Sequence, residues 1–393
     1  MSAGRGESGP ASPADRYASH GKPVVLHVIN TMRWGGVRRH VSDLMQGLPA
    51  HGFGSRIAAW LPPGDMLHGD DRATHLPLYS DDAGEKKSIS GIFIALRRLR
   101  VLFRQHPITV VHTHSRYAMA LVCLALSGRS SVRYRDGRRL RHLYTTHNTF
   151  SNLSWLPCYP AHIIAPSEEV RRHFEAHVRF SRRRQVHIIP HGIPIPSGVR
   201  QAADGTPRFC FIGRLCEEKG VEVLMAAIQL LHAQGGEIPD IDIIGDGPMM
   251  PRLQEWHVSL ASDAIRLHGF LSDPAKLLPG CTALLFPSTH LDTVGYVILD
   301  AMAHGVPVIA SDLAVLRPLV RNGETGWVFP VGDAAALADR LRRASAGPAE
   351  MQAMGARARM HVQAHHDIED MCAATATVYS RLAGNGSIGN EES

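Results

Sequence analysis

Short runs of aliphatic and β-branched residues recur along the chain, each ending in Gly, His, Asn or Ser and followed by a stretch with helical apolar spacing. That alternation marks parallel-sheet α/β units, whose strands are buried on both faces and whose helices carry one apolar stripe. The first unit reads VVLHVIN (24–30), the turn TMRWGG, then a helix whose Val37, Val41, Leu44, Met45 and Leu48 share a face. Further strands are predicted at 55–60, 108–114, 143–148, 162–167 and 186–190. The pattern restarts at 207–215, with strands at 241–247, 264–270, 282–288 and 306–312 and helices at 221–233, 295–304 and 366–383. Between the two series, IPIPSGVRQAADGTP (193–207) has the Pro, Gly and small-residue content of a linker. The predicted organisation is a disordered tail over 1–22, a Rossmann-like domain over 23–195 and a linker over 196–207. A second Rossmann-like domain over 208–366 follows, then a helix over 367–384 returning to the first domain and a disordered tail over 385–393.

Composition agrees with two folded domains: 393 residues, 44% hydrophobic and 20% charged, are far too apolar for a disordered chain. The longest apolar stretch, Ala118 to Leu126, is about half the ~20 residues that a membrane-spanning helix needs. Residues 1–22 lack the apolar core of a secretory signal, so the expected address is the cytoplasm. Six scattered cysteines without a C-x-x-C pair fit reduced thiols rather than a disulfide framework or zinc ribbon. Charge changes the picture more. Residues 1–200 hold 28 Lys and Arg against 13 Asp and Glu, while 201–393 hold 14 against 23. The basic runs 97–104, 133–141 and 179–184 all lie in the first half. They read either as solvated surface or as attraction to an acidic membrane at its inner face. Nucleic acid is not expected, since no helix-turn-helix, zinc-finger or RNP-type pattern accompanies them.

Ligands of open α/β sheets bind beyond the carboxyl ends of strands, which directs the search for chemistry. Gly35 and Gly36 open a helix and allow close backbone approach, although a tight turn would need them equally. Gly213-Arg214 to Lys219-Gly220 sets a guanidinium and an ammonium between a strand and a helix, suited to clamping a diphosphate. The competing reading is salt bridging to Glu217 or Glu218. Gly245-Asp246-Gly247 is a strand-ending turn, most simply structural. Asp240 and Asp242 enter a strand rather than leave one, so their Asp-x-Asp spacing is rejected as a metal site. Residues 288–309 hold Asp292 and Asp300 around Gly295, where a helix begins. His112 and His114 lie on one strand and are read as pointing to opposite faces, unable to share a metal. His114, nearer the strand end, is taken as the group that faces a ligand.

The order of these motifs resembles glycosyltransferase family 4, the glycosyl transferases group 1, whose GT-B fold sets two Rossmann-like α/β domains face to face across a cleft. The similarity covers nearly the whole chain, through GGVRRHVSDLMQGL, VVHTHS, TTHNTF, IIAPSEEVRRHF, VHIIPHGI, FIGRLCEEKGVEVLMAAIQLL, IDIIGDGP, LHGFLSD, LLFPS, LDAMAHGVPVIASD and NGETGWVFPVGDAAALADRL. The resemblance implies transfer of a sugar from a nucleotide-diphosphate donor, UDP-sugar ahead of GDP-sugar, to a hydroxyl acceptor with retention. Arg214 and Lys219 would bind the diphosphate, Gly35 and Gly36 would approach it, and Gly213 and Gly245 would line the donor site. Asp292 would hold the sugar hydroxyls and Asp300 the ribose. Gly295 with the backbone of Tyr296 and Val297 would contact sugar or phosphate, and Gly269-Phe270 the base. His114 would line the reaction centre. No metal or other cofactor is implied, the nucleotide sugar being a substrate. The acceptor implied is a lipid-linked glycan or another anionic envelope glycan precursor.

The chain departs from the family at the segment 292–300, which normally reads Glu, seven residues, Glu. Here both acids are Asp. Each is one methylene shorter, and a misplacement of ~1 Å costs about a hundredfold in rate. Val294 also replaces Phe, and His191 replaces Asn. Two other readings share the fold: a nucleotide-sugar epimerase, which turns over donor without acceptor, and a catalytically silent nucleotide-sugar-binding scaffold.

Overall fold

The computed structural model describes residues 22–32, 35–61, 71–80, 86–129, 131–133, 139–147, 159–178, 184–198, 206–290 and 295–384. It divides into two compact units, the first comprising residues 1–189 and 372–393, the second residues 190–371. Two parallel-sheet α/β units of this kind are the GT-B architecture that the sequence implies.

In the first unit the chain runs β1 (Val24–Val28), α1 (Gly36–Gly47), β2 (Gly54–Ala59), β3 (Ala73–His75), α2 (Ile89–Gln105), β4 (Ile108–Thr113) and α3 (Arg116–Ala125). It continues with β5 (Ser131–Arg133), β6 (Arg139–Thr145), β7 (His162–Ala165), α4 (Glu168–His177) and β8 (Gln185–Ile188). The sheet order is β3-β2-β1-β4-β6-β7-β8, parallel throughout, with β5 added antiparallel to β6. Every residue of β1 is buried, the condition that makes a central parallel strand a continuous apolar run. Serines start the helices: Ser88, Ser115 and Ser167 each accept the backbone N–H three residues on. One apolar core packs Leu26 and Val111 of the sheet against Leu99 and Phe103 of α2 and Val122 of α3.

The second unit holds β9 (Arg208–Ile212), α5 (Val221–Ala233), β10 (Asp240–Ile244), α6 (Met250–Leu260), β11 (Ile265–Gly269), β12 (Ala283–Phe286) and α7 (Tyr296–Ala303). Then come β13 (Val308–Ser311), β14 (Gly326–Phe329), α8 (Ala334–Ala346), α9 (Pro348–His365) and α10 (Ile368–Ala383), whose residues from Cys372 on belong to the first unit. All six strands are parallel, in the order β11-β10-β9-β12-β13-β14.

The unit boundary falls at Ile189/Pro190, ahead of the linker predicted over 196–207. Residues beyond it are fixed in the second unit. Ile193 is fully buried and bridged to Asp367, the Gly192 N–H meets the Met371 sulfur, and Arg359 donates to the Pro196 carbonyl. Proline and glycine content flagged a connection, but it does not report which neighbours the connection packs on.

Candidate functional site

In the second unit three glycines line up where adjacent strands end. Gly213 follows β9 and donates its N–H to the Ile244 carbonyl at 3.0 Å. Gly245 follows β10 and donates to the carbonyl of Gly269, the last residue of β11, at 2.8 Å. A Cβ on Gly245 would lie 1.8 Å from the Gly213 carbonyl oxygen, so only glycine permits this packing. Exposed Phe270 comes next after Gly269.

Arg214 leaves this row exposed to solvent, and Lys219 closes a short 3₁₀ turn over Glu217–Lys219. Lys219 is half-buried with its ammonium 5.7 Å from the centre of the Phe286 ring. Burial lowers its pKa against the opposing pull of Cys216 and Glu218. Gly220 then turns the chain with φ 71°, and an added Cβ would lie 1.9 Å from the Pro287 carbonyl oxygen. The strand end after β12 is bound to the same turn: the Thr289 N–H donates to the Glu218 carbonyl at 3.0 Å, and its hydroxyl to that of Glu217. Gly295 caps α7, whose first residue, Tyr296, is buried with its ring stacked 5.2 Å from that of His191. Val297 and Asp300 are half-buried on the first turns of that helix. Asp292 and Val294 lie outside the described residues, as does Trp34. The structure thus brings Gly213, Gly245 and Gly269 into one row and ties the Arg214–Lys219 turn to the segment that leads to α7. An exposed guanidinium and a half-buried ammonium beside strand-end glycines suit a polyanionic ligand that lies close to backbone.

Asp240 and Asp242 serve a different purpose. Buried Asp242 receives Arg208 at 2.5 Å, Arg266 at 2.9 Å and His268 at 2.6 Å, while Arg266 also meets Asp240 at 3.2 Å. Burial alone would raise the Asp242 pKa, but bonds from Arg266, His268 and Arg208 prevail and hold it at about 2.

In the first unit Gly35 and Gly36 stand exposed at the start of α1, and α1 carries buried His40. The expectation that His112 and His114 face opposite ways is overturned. Residues two apart on a strand share a face, and these two rings lie 4.0 Å apart. They belong to a buried cluster with His27 of β1, His40 and His147, which lies two residues beyond β6. The geometric objection to a shared metal falls with it: His27, His112 and His114 have ligand atoms within 4.8 Å of one another, as have His40, His114 and His147. Both nitrogens of His112 are used at 2.6 Å, Nδ1 with the Tyr379 hydroxyl and Nε2 with that of Thr145. His114 is flanked by His27 and His147. Burial lowers the pKa of His27 to about 3 and those of His112 and His114 well below the ordinary value, and it likewise lowers to about 3 that of buried His142, which meets the Thr113 hydroxyl at 3.0 Å. Histidines in HVIN and TTHN signalled the cluster in the sequence, each falling at or beside a strand end.

The basic run 97–104 is the outer face of α2. Arg97, Arg98, Arg100 and Arg104 are exposed there together with Ile89, Phe93, Ile94 and Val101. Exposed Leu124 of α3 lies beside them, since Arg100 donates to the Leu124 and Ala125 carbonyls. Among the described residues no helix is long and apolar enough to cross a membrane. Most of 133–141 and of 179–184 lies outside the described residues.

Comparison with known proteins matches residues 34–195 to the model of Glycosyltransferase Family 4 and residues 206–346 to that of Glycosyl transferases group 1. The phosphatidyl-myo-inositol mannosyltransferase of Mycobacterium leprae is 28% identical over 327 residues, 78% of this chain and 83% of that protein. The amylovoran biosynthesis glycosyltransferase AmsK of Erwinia amylovora is 29% identical over 196 residues, so the chain spans about half the length of that relative. Among solved structures, a glycosyltransferase from Rickettsia africae superposes with a TM-score of 0.72 at 18% identity, covering 93% of this chain and 100% of that one. Anabaena HepE in complex with UDP-glucose gives 0.72 at 16% identity over 91% and 99% of the two chains. These likenesses establish the GT-B fold.

Proposed function

The chain belongs to glycosyltransferase family 4, and on that premise we propose that it moves a sugar from a nucleotide-diphosphate donor to a hydroxyl acceptor with the anomeric configuration retained. The observation that carries this reading is the turn from Arg214 to Gly220, with its two cations beside the strand-end glycines Gly213, Gly245 and Gly269. Negative charge grows on the leaving diphosphate as the sugar–phosphate bond breaks. Arg214 and Lys219 stabilise that charge from fixed positions, and the backbone N–H groups of Tyr296 and Val297 at the start of α7 add to them. Asp292 holds the sugar hydroxyls and Asp300 the ribose. The acceptor attacks from the face that the diphosphate leaves, and a phosphate oxygen takes its proton. His114 belongs to the wall that shields the electron-poor sugar carbon.

UDP is the favoured nucleotide, which the UDP-glucose complex of HepE supports. The acceptor is a lipid-linked or other anionic envelope glycan. Support comes from the names of the M. leprae and E. amylovora relatives and from the basic, partly apolar face of α2. That face supports a site of action at the inner surface of the cytoplasmic membrane as part of the same proposal.

The test is nucleotide release from UDP-, GDP- and ADP-sugars with and without a bacterial lipid extract. Acceptor-dependent release is expected, falling about a hundredfold or more in Arg214→Ala or Lys219→Ala. Release without any acceptor would support an epimerase or hydrolytic reading. Nucleotide binding without turnover would support a silent scaffold, the rival reading that the shortened acids Asp292 and Asp300 motivate.

A further inference from the structure

The mechanism above uses one histidine of the first unit and leaves its neighbours unexplained. With two of those neighbours His114 forms a continuous chain across the adjacent strands β1, β4 and β6. His27 Nδ1 lies 3.1 Å from His114 Nε2, and His114 Nδ1 lies 3.3 Å from His147 Nε2. Each contact joins two ring nitrogens, so in each pair one must carry the proton and the other the lone pair.

The inner end of the chain decides the direction. His27 is fully buried, and among the described residues its Nε2 has no hydrogen-bond partner. A buried N–H without an acceptor is rarer and costlier than a buried lone pair without a donor. His27 therefore keeps its proton on Nδ1 and donates to His114 Nε2. With Nε2 accepting, neutral His114 carries its proton on Nδ1 and donates to His147 Nε2. His147 in turn carries its proton on Nδ1. Burial keeps His27 and His114 neutral, as this order requires.

We propose that His27 is a positioning residue that locks His114 and His147 in their Nδ1–H tautomers, so that neither can act as a base at the strand ends. In this form neither His114 nor His147 has a lone pair left to accept an acceptor's proton. This deepens the transferase reading and rests on it only for its kinetic consequence.

The same nitrogens would also suit a metal ion, but the structure favours the relay. Neither histidine triad includes a carboxylate or thiolate to balance a buried cation. His112 would have to give up a 2.6 Å bond to serve as a ligand, and His114 would have to break a link of the chain.

The experiment is a long-range ¹H–¹⁵N correlation spectrum of protein labelled at histidine, which distinguishes the two neutral tautomers. Signals are assigned by their loss or shift in His27→Asn, His114→Gln and His147→Asn. Nδ1–H patterns are expected for His27, His114 and His147. His27→Asn retains a donor near the Nδ1 position and should leave His114 as Nδ1–H. His27→Leu removes that donor and should release His114 to the Nε2–H form. In nucleotide release, His27→Leu should lower kcat about tenfold with donor KM unchanged, and His27→Asn should restore most of it. An Nε2–H pattern at His114 in the wild-type protein would overturn the proposal, as would equal losses in the Asn and Leu variants. Stoichiometric Zn²⁺ binding by calorimetry that disappears in His114→Gln would overturn it in favour of a metal site. The tautomer pattern needs no substrate, so it stands or falls separately from the transferase reading.

Discussion

The two units share one construction, a parallel sheet with chemistry at its strand ends, yet they bury opposite kinds of polar group. Across β1, β4 and β6 the first unit holds neutral imidazoles that share protons with one another, with Thr145 and with Tyr379. Across β9, β10 and β11 the second holds a carboxylate, Asp242, compensated by Arg208, Arg266 and His268. Arg208 and Arg266 are partly exposed, so solvent shares the cost of their charge, whereas His27, His112 and His114 of the first unit are buried. A charge can be buried where its partners reach water, and a neutral network is required where nothing does.

Acid should separate the two most strongly. The pKa values of His27, His112, His114 and His142 are lowered by burial, so below the ordinary value of 6.5 the unfolded chain binds protons that the native unit refuses. Their contribution to stability is intact above pH 6.5 and declines as pH falls, for His27 and His142 until about 3. By pH 5.5 the four together should cost on the order of 5 kcal/mol. Asp242 works in a lower window: its carboxyl is held at about 2 against an ordinary 3.8, so its contribution persists above 3.8 and is lost only as pH drops towards 2. The second unit also buries His191, held near 4 by burial and then by His366, so it too will weaken, but with fewer groups. Hydrogen exchange at pH 7.5 and 5.5, resolved by peptide, should show protection lost first over β1, β4 and β6. Equal loss in both sheets would end the distinction.

Removing the charge from the second sheet probes the other side. Asp242→Asn keeps the shape but strands the bonds from Arg208, Arg266 and His268, and should destabilise that unit by about 2–3 kcal/mol, discounted for the exposure of both arginines. Between pH 4 and 2 the variant should also lose the acid sensitivity that Asp242 contributes. Urea unfolding of both proteins across that range measures it. An unchanged midpoint would mean that the network is only surface pairing.

How far the chain could be read in advance follows the same division. Strands and their terminal glycines were legible because burial on both faces forces apolar runs, and because Gly245 and Gly220 occupy turns that side chains would block. The histidine cluster was only half legible. His112 and His114 stood out, but the period of a strand puts them on the same face. The partners His27 and His147 come from neighbouring strands, which local spacing does not pair. Tyr379 was beyond reach, since it meets His112 from a helix 267 positions along the chain. The run 97–104 read as charge alone, because the apolar residues that share its exposed face begin earlier, at Ile89.

That face is the subtlest contrast, because it concerns surface rather than core. The first half of the sequence is strongly basic and the second acidic, and α2 adds Ile89, Phe93 and Ile94 to its arginines. On the proposed membrane role, basic side chains would draw the helix to acidic lipid by roughly 1 kcal/mol each, and inserted apolar side chains would hold it there. Phe93 is 68% exposed, so Phe93→Ser removes almost none of the core and should change folding stability by no more than about 0.5 kcal/mol. Sedimentation with phosphatidylglycerol vesicles should nevertheless weaken about tenfold, the loss expected for one buried aromatic ring. Replacing Arg97 and Arg98 by Gln should weaken it as well and remove much of its salt dependence, while neither change should affect binding to neutral phosphatidylcholine. If Phe93→Ser leaves binding to acidic vesicles untouched, the attraction is charge alone and α2 does not enter the lipid. If both variants leave it untouched, the basic half of the molecule has a different partner.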